Sequence, residues 1–182
     1  MNVLETERLT LRHLTIDDAS FILELLNDPS FIQNIGDRGV RTIDDACAYI
    51  SNGPLASYER FGFGLFLVEL KETGVSIGMC GLIKRDALPD VDVGFAFLPQ
   101  FWGTGYAFES ASAVMTYGRD TLGLDRIVAI VSPDNDGSIK VLQKIGLTFE
   151  RMIHWGEDGS EIKLFGPPET PTALANPPYA EK

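Results

Sequence analysis

The sequence predicts an α/β (α+β) protein with a mixed central sheet, and three observations carry that expectation. The hydropathy period changes repeatedly along the chain: alternating at the start, then helical, strand-like from Gly62, then helical and apolar by turns. Read in order, the segments give β-α-α-β-β-β-α-β-α-β-β. Three strands in a row before the first crossover helix argue for a mixed sheet rather than a doubly wound parallel one. Finally, 45% of the 182 residues are hydrophobic, enough to build a core in one domain of this length.

Each element follows from local chemistry. Glu7-Arg8-Leu9-Thr10-Leu11-Arg12 alternates polar and apolar, a half-buried strand. Thr15 is an N-cap with Asp18 three residues on, and Phe21, Ile22, Leu25 and Leu26 recur at helical spacing until Asp28-Pro29 stops the helix. Thr42-Ile43-Asp44-Asp45 repeats that start, leading a helix through Tyr49 and Ile50. Gly53-Pro54 interrupts it before a short helix to about Arg60. Phe63 to Leu70 and Val75 to Lys84 are strands around a turn at Glu72-Thr73-Gly74, and Asp92 to Leu98 is a third. Gly105 to Leu122 is the longest helix, with Gly123 at its end. Arg126 to Val131 is a short apolar strand, Ser138 to Ile145 a helix closed by Gly146, and strands at 147–155 and 161–165 finish the domain. Residues 1–166 form one domain and 167–182 a proline-rich tail, expected to be extended or disordered.

Composition excludes several function classes. Fifteen basic and 26 acidic residues give a net charge of −11, a poor match to a nucleic-acid backbone. The same field favours cationic partners such as amines, although acidity also serves plain solubility. No stretch approaches the ~18 apolar residues of a membrane span. Residues 1–7 carry no basic segment followed by an apolar run, and Cys47 and Cys80 have neither disulfide-framework nor zinc spacing. The expected setting is cytoplasmic, without membrane, nucleic acid or metal.

Between residues 92 and 107, a strand runs into a glycine-bearing loop that opens directly into the longest helix. Unpaired N–H groups of a first helical turn face outward at the positive end of the dipole and make an anion site. Gly103 and Gly105 let the backbone approach a phosphate closely. No lysine or arginine lies between Gly94 and Arg119, so backbone amides would hold any anion there. A P-loop needs Gly-Lys-Ser/Thr, and this loop has no lysine. A dinucleotide fingerprint needs a glycine at position 108, where Phe108 stands. A lone GxG also serves as a helix cap or tight turn.

The pattern extends beyond GxG. Gln100-x-x-Gly103-x-Gly105 resembles the Gln/Arg-x-x-Gly-x-Gly/Ala signature of the GNAT superfamily of N-acetyltransferases. Asp92-Val93-Gly94-Phe95, residues 99–107, Glu109-Ser110-Ala111, Leu122-Gly123-Leu124-Asp125-Arg126-Ile127, residues 135–147 and the opening strand at 5–12 resemble the branch that acetylates ribosomal-protein N-termini. The resemblance covers roughly residues 5–166 with its motifs in order. It implies a mostly antiparallel sheet of about seven strands, flanked by about four helices and splayed between the fourth and fifth strands, here 92–98 and 126–131. It implies acetyl-CoA as co-substrate: pantetheine beside Phe97 and Leu98, and pyrophosphate on amides of Trp102, Gly103, Thr104, Gly105, Tyr106 and Ala107. Asn135 matches the residue that hydrogen-bonds the pantetheine arm, with an Asx turn as its alternative. Lys140 and Lys144 are placed to reach the adenosine phosphates, or are simply solvated.

The implied reaction moves acetyl directly onto an amine, either a protein α-amino group or a small amine such as a polyamine, amino sugar or antibiotic. Such amines, with pKa values of ~8 to ~10.4, are mostly charged at neutral pH, so the site must accept a proton. Asp92 is the candidate base, where related enzymes carry a glutamate working through water; its alternative is a charge on the open face of a strand. Ser138 is the candidate acid, or else a helix cap. The position that often holds a tyrosine in the superfamily is Leu142. Cys80 sits mid-strand and reads as a small buried residue. Glu109 fits the helix dipole, and His13 and His154 receive no role. A non-catalytic acyl-CoA-binding domain is the alternative function, and an edge strand at 161–165 offers a route to a homodimer.

Overall fold

The computed structural model describes residues 2–168; the tail expected at 167–182 therefore falls outside the described residues from 169 onward. The strands are β1 (Asn2–Glu5), β2 (Leu9–Arg12), β3 (Leu65–Leu70), β4 (Ser76–Ile83), β5 (Val91–Phe97), β6 (Ile127–Val131), β7 (Thr148–Trp155) and β8 (Ser160–Gly166). The helices are α1 (Ala19–Asn27), α2 (Pro29–Asn34), α3 (Ile43–Ile50), α4 (Ala56–Phe61), α5 (Tyr106–Asp120) and α6 (Asp136–Lys144). The strands form one eight-stranded sheet in the order β1-β2-β3-β4-β5-β6-β8-β7.

Six helices stand among the described residues where about four were expected, and the sheet differs from the sequence expectation in two details. β1 is an extra strand, a four-residue partner hydrogen-bonded antiparallel to β2. The edge at this end of the sheet is β7, because β8 inserts between β6 and β7 and pairs with both. The segment 161–165 therefore has no free edge to offer a second copy.

Helix starts are fixed by caps. Thr42 Oγ1 accepts a hydrogen bond from the Asp45 amide, and the Asp45 carboxylate accepts from the Thr42 and Arg41 amides. Pro29 does not simply stop α1. It opens α2 at its first position, where its missing N–H costs nothing, while Asp28 Oδ1 accepts from the Ser30 amide at 2.9 Å. Pro54 is accommodated by a π-helical turn at Ser51–Leu55, so α3 and α4 run on from one another.

The sheet is buried on both faces. On one, Phe66, Val68, Cys80, Leu82 and Val93 pack with Ala111, Val114 and Met115 of α5. On the other, Leu67, Met79 and Leu98 pack with Ile22, Leu25 and Leu26 of α1 and Ala46 and Ile50 of α3. Alternation along β3 sends successive side chains to opposite cores, which anchors helices on both faces.

One break in this sheet creates the site. All neighbouring strands are antiparallel except β5 and β6, and that parallel pair is in register only at Val91↔Ile127 and Asp92↔Val128. Beyond Asp92 the two strands have no ladder between them, while β5 continues to pair with β4 as far as Phe97↔Gly78. The expected splay between 92–98 and 126–131 is present, now between the fifth and sixth strands.

Candidate active site

The splay opens into two adjoining hollows. The larger, about 590 Å³, runs between the end of β5, the loop before α5 and the start of α6. The smaller, about 170 Å³, reaches inward toward Asp92. Phe31, Asn34, Ile35, Phe95, Ala96, Asn135 and Ser138 line both, so the two share a wall.

The loop is shaped for an anion. Gly103 and Gly105 have φ of +73° and +86°, a region L side chains rarely adopt. No amide of residues 103–108 has a partner among the described residues, so a run of N–H groups at the N-terminus of the fifteen-residue α5 is free. Trp102, Gly103, Gly105, Tyr106 and Ala107 line the large hollow. The Thr104 side chain turns away, its hydroxyl donating to Phe101 O at 2.7 Å. Phe97 lines it too, and its carbonyl accepts from Trp102 Nε1 at 2.8 Å. Leu98 does not: its side chain is in the α1–α3 core, its amide donates to Ile77 O at 3.1 Å, and its carbonyl accepts from Phe101 N at 3.0 Å. Its role is to anchor the strand end from which the loop departs.

A cation that the sequence alone places far away completes the loop. The Arg8 guanidinium donates to Thr104 O at 2.9 Å and to Glu109 Oε2 at 2.7 Å, and lies 4.6 Å from the centre of the Tyr106 ring. Glu109 also accepts from Thr6 Oγ1 and the Arg8 amide. Burial pushes the Glu109 carboxyl up, but these bonds outweigh it and hold its pKa below the usual range. Glu109 thus fastens β2 to α5 and has no place in the reaction centre.

On the opposite wall, Asn135 is the N-cap of α6, its Oδ1 accepting from the Ser138 amide at 3.2 Å. That leaves Asn135 Nδ2 and the Ser138 hydroxyl without protein partners among the described residues, and both residues line both hollows. Lys140 and Lys144 border the outer part of the large hollow.

In the inner hollow, Asp92 is 1% exposed, and its carboxylate accepts from Arg85 Nε at 2.8 Å and Nη2 at 3.3 Å. Burial raises the Asp92 pKa, and the Arg85 charge opposes that rise without cancelling it. A charge on the open face of a strand is not what is found; Asp92 is enclosed and partnered. Tyr49, from α3, lines the same space, and its hydroxyl has no partner among the described residues. Leu142, Trp155 and Arg38 complete the walls named here.

Neither cysteine lines either hollow. Burial pushes the Cys80 thiol up to about 12, which rules it out as a ready thiolate nucleophile. His13 is stacked on Tyr58 with ring centroids 4.0 Å apart, and His154 faces the Gly159 carbonyl, so neither histidine joins the site.

The acetyltransferase (GNAT) domain family matches residues 8–148, and the chain belongs to it. The chain is 31% identical over 153 residues to YoaA of Bacillus subtilis, an uncharacterized N-acetyltransferase, covering 83% of this chain and 85% of that one. Among solved structures, an acetyltransferase from Agrobacterium tumefaciens is 27% identical with a TM-score of 0.78, covering 93% of this chain and 95% of that one. The ribosomal α-N-protein acetyltransferase RimL, solved with coenzyme A, superposes with a TM-score of 0.79 over 91% of this chain and 97% of that one. At 16% identity, it shows a shared fold.

Proposed function

We propose that this acetyltransferase transfers acetyl from acetyl-CoA directly to the nitrogen of an amine acceptor. The observation that carries the reading is that the two hollows adjoin: one has the free amides that suit a pyrophosphate, the other ends at a buried carboxylate. The residues fit the co-substrate. The amides of 103–108 are unpaired, Gly103 and Gly105 leave room beside them, and the β6-facing edge of β5 beyond Asp92 is open to the peptide-like bonds of a pantetheine arm. Asn135 Nδ2 adds a donor on the far side, with Lys140 and Lys144 toward the adenosine phosphates.

Bound acetyl-CoA supplies an activated acyl carbon. Asp92 accepts the proton that the amine loses, directly or through water, as the new carbon–nitrogen bond forms. Arg85 holds the Asp92 carboxylate in place. As the carbon–sulfur bond breaks, the leaving sulfur takes a proton, for which the free Ser138 hydroxyl is the candidate donor. No acyl-enzyme is needed. A protein N-terminus and a small amine both remain within this reaction class.

The test is initial-rate measurement of coenzyme A thiol release with acetyl-CoA and a panel of amines. Amine-dependent release, reduced ~10²- to 10⁴-fold in kcat by Asp92→Asn with acetyl-CoA affinity kept, supports an enzyme with this base. Tight acetyl-CoA binding without amine-dependent release would instead favour an acyl-CoA-binding domain.

A further inference from the structure

The chain carries a net charge of −11, yet the inner hollow has the opposite balance. Two guanidinium groups line it, Arg38 and Arg85, against a single carboxylate, Asp92. Arg85 and Asp92 are bonded to each other. Arg38, in the loop between α2 and α3, has no ion-pair or hydrogen-bond partner among the described residues. Most other arginines do: Arg8, Arg12, Arg41, Arg85, Arg126 and Arg151 each face a carboxylate. Arg38 is exposed, as are Arg60 and Arg119, which also lack a carboxylate partner among the described residues, but of the three only Arg38 lines the hollow, where it is free to pair with an anion that enters.

Its neighbours point the same way. Asn34, near the end of α2, and Tyr49, on α3, line the same hollow, and neither side chain has a hydrogen-bond partner among the described residues. Together with Arg38 they present an amide N–H2, a phenol O–H and a guanidinium from the α2–α3 side. Those are hydrogen-bond donors that match a carboxylate, and arginine does so with a planar fork. Arg38 and Arg85 also act together on Tyr49: burial pushes its phenol up, and both cations oppose that shift.

We propose that the acceptor is an amine that also carries a carboxylate, bound by Arg38, Asn34 and Tyr49 while its nitrogen faces Asp92. This rests on the acetyl-transfer reading and deepens it. A diamine or polyamine is the wrong substrate for this hollow, since its second ammonium would meet two guanidinium groups. The carboxylate belongs either to a free amino acid or to an acidic residue close to a peptide N-terminus.

The experiment compares kcat/KM at saturating acetyl-CoA for three matched sets: free L-amino acids against their amides, short peptides with aspartate against asparagine at the second position, and linear diamines. Amidation makes an α-amine less basic and so favours attack, so a preference for the acid isolates the carboxylate. The expected result is a preference of about tenfold or more for the carboxylate member of the first or second set, which tells the two sources apart. Arg38→Ala raises KM for that acceptor by a similar factor, Arg38→Lys restores part of it, and acetyl-CoA affinity stays unchanged. Equal rates for acid and amide, a preference for diamines, or an Arg38→Ala enzyme with unaltered KM would each overturn the proposal while leaving acetyl transfer standing. If acetyl-CoA binds but no amine in any set is acetylated, the acetyl-transfer reading and this one fall together.

Discussion

Asp92 shows how far a single residue's role depends on partners that lie elsewhere in the chain. Its position at the start of β5 is legible in the sequence, because the strand and the loop behind it form one continuous motif. Its enclosure, and its two hydrogen bonds from Arg85, depend on how the β4–β5 connection folds back. The consequence is a pH dependence. Proton acceptance requires the carboxylate, so kcat at saturating acceptor falls as pH drops through the Asp92 pKa. Burial moves that pKa up and Arg85 opposes it, so the acid limb lies above the ~3.9 of an ordinary aspartate. Arg85→Ala removes the opposing charge and shifts the limb to still higher pH. Asp92→Asn removes the limb. A pH–kcat profile of the three proteins checks all of this, and an unmoved limb in Arg85→Ala would contradict it. Leu98 and Thr104 illustrate the reverse case. Their sequence positions match the cofactor loop, but the backbone N–H and C=O of Leu98 and the hydroxyl of Thr104 are spent on the Ile77 and Phe101 contacts that shape the strand end and the loop, while the Thr104 amide stays free.

Among elements, the helices and central strands were legible because caps and periodicity are local signals. Thr42 with Asp45, and the alternation of β2, needed nothing distant to be recognised. β1 was not, since four residues with two apolar ones carry little periodicity. Nor was the order β6-β8-β7, because a hairpin can lie either way against β6 and only the packing decides. The ion pairs between elements were equally hidden. Arg12 bonds Asp18 at 2.8 Å and Glu69 at 2.8 Å, tying β2 and β3 to the start of α1. Burial pushes the Asp18 carboxyl up, but bonds from Arg12 and from the Thr15 amide and hydroxyl outweigh it, and its pKa is lowered in the folded state. The sign follows: Asp18 contributes stability above its unfolded pKa of about 3.9, and that contribution is lost as pH falls through the lower folded value. In thermal melts, wild type is therefore expected to exceed Asp18→Asn near neutral pH and to converge on it in strong acid. A gap that widened on acidification would refute the assignment.

In the whole molecule, packing and function come from the same architecture. α5 lies against the sheet closely enough that a Cβ on Gly118 would sit 2.6 Å from Ile127 Cδ1 and 3.0 Å from Leu82 Cδ1. Gly118→Leu overfills that contact, and a loss of ~1–3 kcal/mol in denaturant unfolding is expected. Because the contact lies toward the far end of α5 from the loop at Gly103 and Gly105, acetyl-CoA affinity should survive. The amide loop was readable because it is backbone in one contiguous stretch, whereas the splay, between strands about 30 residues apart in sequence, was expected only from the family resemblance. The acceptor hollow was not readable. Arg38, Tyr49, Arg85 and Trp155 come from four separate segments, and only the folded chain brings them around Asp92.

The most direct test of the central claim is calorimetric titration with acetyl-CoA, ATP and NAD of the wild-type protein and of Gly105→Val. Gly105 has a φ of +86°, and a Cβ there would meet Arg8 Nη2 at 3.3 Å, so valine distorts the loop locally. The expected result is acetyl-CoA binding that ATP and NAD do not match, weakened about tenfold or more in a Gly105→Val protein whose circular dichroism is unchanged, as a strain of ~1–3 kcal/mol implies. A folded wild-type protein that ignores acetyl-CoA, or binds ATP or NAD more tightly, would contradict the account.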